Sequence, residues 1–160
     1  MHPAHRFTTA ATALALLGGL AAGPARAEDA EDEAFYQRAS ECTAAMQVDQ
    51  LALVARARQG EPNLRPALFE VTRLGFSYAG QAWLKGLRDP RATDMLKAAT
   101  AQQKDWPVAR HKALVDECRV EAQKLYDNSG MWKMLVDKKA GKRVDRFLSM
   151  PPLPASAASK

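Results

Sequence analysis

The sequence predicts an all-α protein: an antiparallel up-down four-helix bundle with a short extra C-terminal helix and one disulfide between helices. Three observations carry this prediction. The β-branched residues are scattered, and no stretch alternates apolar and polar residues as a half-buried strand does. Apolar residues recur instead at steps of three, four and seven, in stretches separated by glycine and proline. The two cysteines, Cys42 and Cys118, occupy mirrored places in the first and last long stretches.

The chain opens with Arg6, an apolar run over 10–22, a Gly23-Pro24 break and the small-residue pattern Ala25-Arg26-Ala27. This order is the plan of a secretory signal peptide, and the run is shorter than the roughly 20 residues that span a bilayer. Residues 1–27 are therefore expected to be a cleaved signal peptide. Residues 28–149 are expected to form the helical domain, and 150–160 a disordered Pro/Ala/Ser tail. The expected location is the periplasm. Removal of the signal leaves about 130 residues, enough for one domain with its own core. The formal net charge of the whole chain is +5. It is unevenly spread, with E-D-A-E-D-E at 28–33 and six basic residues between 133 and 146.

The first helix is expected from about Glu33 to Gln59, with Phe35, Ala39, Cys42, Met46, Leu53 and Ala57 on one stripe. Gly60 and Pro62 end it. The second is expected from about Leu64 to Leu87, capped by Asn63, with Pro66 tolerated in the first turn. Leu68, Val71, Gly75, Tyr78 and Ala82 share one direction, and Phe69, Thr72, Phe76, Ala79 and Trp83 the next. An apolar arc this wide predicts the most buried helix; Gly75, Gly80 and Gly86 weaken it intrinsically and are tolerable where another helix must approach closely. Asp89-Pro90 opens a shorter third helix that runs to about Lys104 and buries Ala92, Met95, Leu96 and Ala99. The fourth runs from Pro107 to about Asn128, with Val108, His111, Val115, Cys118, Ala122 and Leu125 inward. Asn128-Ser129-Gly130 breaks the chain. A short fifth helix is expected over 131–136, with one more turn near 144–148 and Ala140-Gly141-Lys142-Arg143 as the interruption.

Cys42 lies about ten residues into the first helix, and Cys118 about ten from the end of the fourth. In antiparallel neighbours both then sit about 15 Å from the same end of the bundle, at 1.5 Å per residue, so they are expected to bond. The absence of C-x-x-C argues against a redox role. Seven residues onward from Cys42 stands Asp49, and seven back from Cys118 stands His111. Seven residues are nearly two turns, so the two side chains are expected to face each other one layer from the disulfide. Gln50 lies beside them. Tyr78 and Gln81 of the second helix are candidate companions in a pocket between helices one, two and four. This layer reads first as a structural pair, since a lone aspartate on an apolar face needs a partner.

No catalytic residues are expected, because neither a G-x-S-x-G motif nor a second buried acid supports a hydrolase. No metal is expected either: His2 and His5 lie in the signal segment, leaving His111 as the one histidine of the mature chain. No cofactor is expected; Met46 and His111 are offset relative to the cysteines, and no C-x-x-C-H attaches haem. Nucleic acid is not an expected partner, given the compartment and the small net charge.

Trp132, Lys133, Lys138, Lys139, Lys142, Arg143 and Arg146 make the C-terminal segment basic and aromatic. This is a candidate surface for a protein partner or, more weakly, for an anionic membrane face. The sequence thus points to a non-enzymatic periplasmic protein that binds another protein as an accessory or inhibitor; small periplasmic immunity proteins that block a toxin are one form of this. The alternative is a small-ligand binder or enzyme using an inter-helix Asp49–His111 pocket.

Overall fold

The structure, a computed structural model, describes residues 24–150. The expected signal peptide as far as residue 23 and the expected tail at 151–160 lie outside the described residues. Five helices and no strand occur among them: α1 (Pro24–Arg58), α2 (Arg65–Leu84), α3 (Arg91–Gln103), α4 (Val108–Asp127) and α5 (Trp132–Leu148). None is long and apolar enough to cross a membrane.

α1 starts at Pro24, nine residues before the expected Glu33, so the position after Ala27 expected to be cleaved falls within a helix. Proline is tolerated at a first helical position because it lacks a donor the helix would not use there. The acidic run at 28–33 is helical. Two of its acids hold neighbouring elements, Asp32 with Lys85 and Glu33 with Arg91. α2 starts at Arg65, with Pro66 in the first turn. Asn63 does not cap it; Leu64 stands at that position, and Asn63 takes a φ of 63° in the preceding turn. Gly86, at φ 113°, closes α2 in a conformation that favours glycine.

The expected break in α5 does not form: Ala140, Gly141, Lys142 and Arg143 lie inside one continuous helix. Val136, Ala140, Val144 and Phe147 follow one another at four, four and three residues and are all buried. That apolar stripe outweighs the ~1 kcal/mol propensity cost of one glycine.

Cross-contacts give each helix its sense. Tyr36 donates to the Lys85 carbonyl and Gln50 to Thr72, so α2 runs antiparallel to α1. Cys42–Cys118 and Arg38–Glu121 set α4 antiparallel to α1. Arg65–Asp145 and Trp83–Trp132 set α5 antiparallel to α2. Arg91 with Glu33 and Gln103 with the Glu41 carbonyl set α3 parallel to α1, so successive helices alternate in sense. The membership of the bundle differs from the expectation. α3 is short, buries only Ala99 and Gln103, and packs along α1. α2 packs against α1, α4 and α5, and α5 takes the place given to α3 in the expected four-helix core. The largest wholly buried side chains, Tyr78, Met46, Leu68 and Leu74, come from α1 and α2.

Candidate functional site

Cys42 and Cys118 are bonded, with a Cα–Cα separation of 5.4 Å, and both are fully buried. One turn from each cysteine a polar cluster forms. Arg38, four residues before Cys42, directs its guanidinium at Glu121, three residues after Cys118. Nε donates to Oε2 at 3.0 Å, and Nη2 to Oε1 at 2.5 Å. Nη2 also reaches Glu117 at 3.3 Å. From α2 the buried Tyr78 hydroxyl donates to Glu121 Oε2 at 2.8 Å. The hydrogen bond from Arg38 holds the Glu121 carboxyl below its ordinary value, against a smaller opposing effect of burial. Burial, then the bond to Glu121, pushes the Tyr78 hydroxyl up. The Glu121 bond likewise raises the Arg38 guanidinium. A carboxylate so fully committed to donors is a poor proton acceptor, and the cluster acts as a clamp joining α1, α2 and α4.

Asp49 and His111 line one groove between α1, α3 and α4, of about 840 Å³, with Val48, Leu96, Trp106 and Val108 among its apolar walls. They do not form the expected pair. Asp49 accepts from Arg119 at 3.3 Å, and Arg119 also approaches Glu70 at 3.9 Å. His111 Nε2 is buried and without a hydrogen-bond partner among the described residues. A guanidinium with its fork of donors is the stronger partner for a half-buried carboxylate, and Arg119 is long enough to reach it from two turns along α4. The carboxylate that would orient the imidazole is thus engaged elsewhere, so the layer forms no acid–base dyad.

The remaining expected companions are dispersed. Gln50 donates to Thr72 at 2.6 Å, Tyr78 belongs to the Glu121 clamp, and Gln81 reaches Ser129 at 3.4 Å. Among the described residues no three His, Cys, Asp or Glu side chains are grouped to hold a metal ion.

The C-terminal surface is organised by α5. At 100° per residue, Trp132, Leu135, Lys138, Lys139, Lys142, Arg143 and Arg146 share a flank of about 140°. Of the helix's two acids, Asp137 lies apart from that flank and Asp145 borders it; both are engaged, Asp137 by the Tyr126 hydroxyl at 2.9 Å and Asp145 by Arg65 at 2.8 Å. Among the described residues none of Lys138, Lys139, Lys142, Arg143 and Arg146 has a carboxylate within ion-pair distance. Arg143 stacks on Phe147, and Lys133 lies 5.3 Å from the Tyr126 ring. Trp132 tilts against Trp83 with ring centroids 6.1 Å apart, and both rings remain widely exposed.

Sequence reasoning had the basic residues but not their segregation, which follows from the unbroken helix. It missed the Glu121 clamp. The same mirror rule that pairs Cys42 with Cys118 also pairs Arg38 with Glu121, so the signal was present in the spacing. Compared with protein-family profiles, curated proteins and solved structures, the chain matches none.

Proposed function

We propose that this is an exported, non-enzymatic binding protein, an accessory or inhibitory partner of another protein, and that it engages an acidic partner through α5. The observation that carries this reading is the segregated flank: five cations without carboxylate partners among the described residues, set beside exposed Trp132 and Leu135. Aromatic anchors next to unneutralised cations are the chemistry of a protein interface, with Trp and Arg as its commonest energetic centres. Export is supported by the leader-like N-terminal pattern and by a disulfide in a chain with no free cysteine.

The test is charge reversal on side chains that support no packing, Lys138→Glu, Lys142→Glu and Arg146→Glu together. The expected result is a folded protein that no longer retains the partner captured by wild type from periplasmic extract. Retention of the same partner at full strength would overturn the reading. Binding of wild type to anionic vesicles, with no protein retained, would assign the flank to a membrane surface instead. Truncation is not a clean test, because α5 supplies Val136, Ala140, Val144 and Phe147 to the core.

A further inference from the structure

α2 carries more apolar surface than its own neighbours cover. Leu68, Val71, Leu74, Tyr78 and Ala82 are buried, whereas Phe76 is half-buried and Ala79 and Trp83 are exposed. Thr72, Gly75, Phe76, Ala79, Gly80 and Trp83 recur at three and four residues and form one stripe. Three hollows of about 310, 170 and 590 Å³ lie over it. The first two share Ala79 and Leu96, the last two share Trp83 and Asp89, and the first and last share Phe76, so they adjoin along this stripe as one grooved face. Leu96 of α3 lines one side; Lys139 and Arg143 of α5 line the other. A Cβ built on Gly75 or Gly80 would meet no atom within 4 Å among the described residues, so no helix among them makes the close approach those glycines permit.

We infer that this groove receives an amphipathic helix of the partner, its apolar stripe on the floor between Phe76 and Trp83 and its acidic flank against Lys139 and Arg143. The inference rests on the reading of α5 as a partner surface and names the form the partner takes there. The floor from 72 to 83 is about 16 Å long, three helical turns. Glycine and alanine on a helix face let a second backbone come close. No strand exists among the described residues to offer an edge to an extended segment. The sign of the occupant follows from the lining charges. The two cations have no carboxylate within ion-pair distance among the described residues, and the one acid, Asp89, sits at the Trp83 end and accepts the Thr93 hydroxyl.

The probe is a fluorescein-labelled synthetic helix of about 18 residues, five turns, with a leucine stripe flanked by glutamates. A second probe carries lysines in place of the glutamates. Gly75→Leu/Gly80→Leu fills the floor. It is expected to melt at or above the wild-type midpoint and to bind the acidic probe at least tenfold more weakly by fluorescence anisotropy. Lys139→Glu/Arg143→Glu is expected to weaken the acidic probe and strengthen the basic one. Should the leucine variant not fold, Ala79→Glu, exposed on the same floor, is expected to weaken the acidic probe in its place. A folded floor variant with unchanged affinity overturns the groove; if binding then still falls with Lys138→Glu/Lys142→Glu/Arg146→Glu, the α5 reading stands without it. Insensitivity to both sets of variants removes both. Equal binding of the two probes by wild type overturns the acidic occupant.

Discussion

At Glu121 three helices meet on one carboxylate. Its folded-state pKa lies below the ordinary 4.5, chiefly through Arg38. A depressed carboxyl contributes stability that is present above the unfolded-state value and is lost as pH falls through the folded-state one. The urea midpoint should therefore drop as pH falls below about 4.5, and Glu121→Gln should remove part of that acid dependence; equal slopes in both proteins would show the clamp to be energetically idle. Tyr78→Phe keeps the ring packing and deletes one donor, and is expected to cost about 1 kcal/mol in the same titration. At this scale the sequence was legible where spacing alone decides, as for Cys42 with Cys118. It was not legible where side-chain reach decides. Arg119 captures Asp49 because a long guanidinium spans positions that backbone register keeps apart, and that reach separates His111 from its expected acid.

Among the elements, α1 and α5 depart most from the lengths read in the sequence, and α2 departs in what covers its second apolar direction. Gly75, Gly80 and Gly141 are helix-interior residues; the first two have open space around a Cβ, and at Gly141 only a Phe69 ring carbon comes as near as 4.0 Å. Alanine at each is expected to stabilise by up to ~1 kcal/mol, a gain of a few degrees in melting temperature. Gly86→Ala should have the opposite sign, since φ 113° strains any side chain. Calorimetry of the four variants would check both directions. The helical spacing of α1 through α4 was plain, because each stripe repeats over several turns. The lengths of α1 and α5 were not, because a proline in a first turn and one glycine in a strong apolar stripe were weighed as breakers where packing and end effects make them tolerable. The second apolar direction of α2 was read correctly as a pattern and is buried only in part, Thr72 and Phe69 lying in or against the core and Ala79 and Trp83 outside it, since periodicity reports that a face is apolar and not what covers it.

For the molecule as a whole, the alternating sense of the helices was legible from short connections and mirrored cysteines. The partner of each helix was not: α3 proved too short to fill a quarter of the core, and α5 fills that place. Cys42 and Cys118 close a loop of sequence separation 76, so replacing both with alanine should lower stability by up to about 4 kcal/mol in a urea titration without reductant. A loss near zero would mean that the reduced, unfolded chain is already compact there. The same bond has a mechanical meaning. α2 and α3 lie wholly between the two cysteines, whereas α5 and the first half of α1 lie outside them. Pulled by its ends, the oxidised chain can pay out only the segments beyond the bond, and the interior stays shielded from tension. Addition of reductant should release roughly 270 Å of hidden contour, at about 3.6 Å per residue, as one discrete lengthening in a force-extension trace.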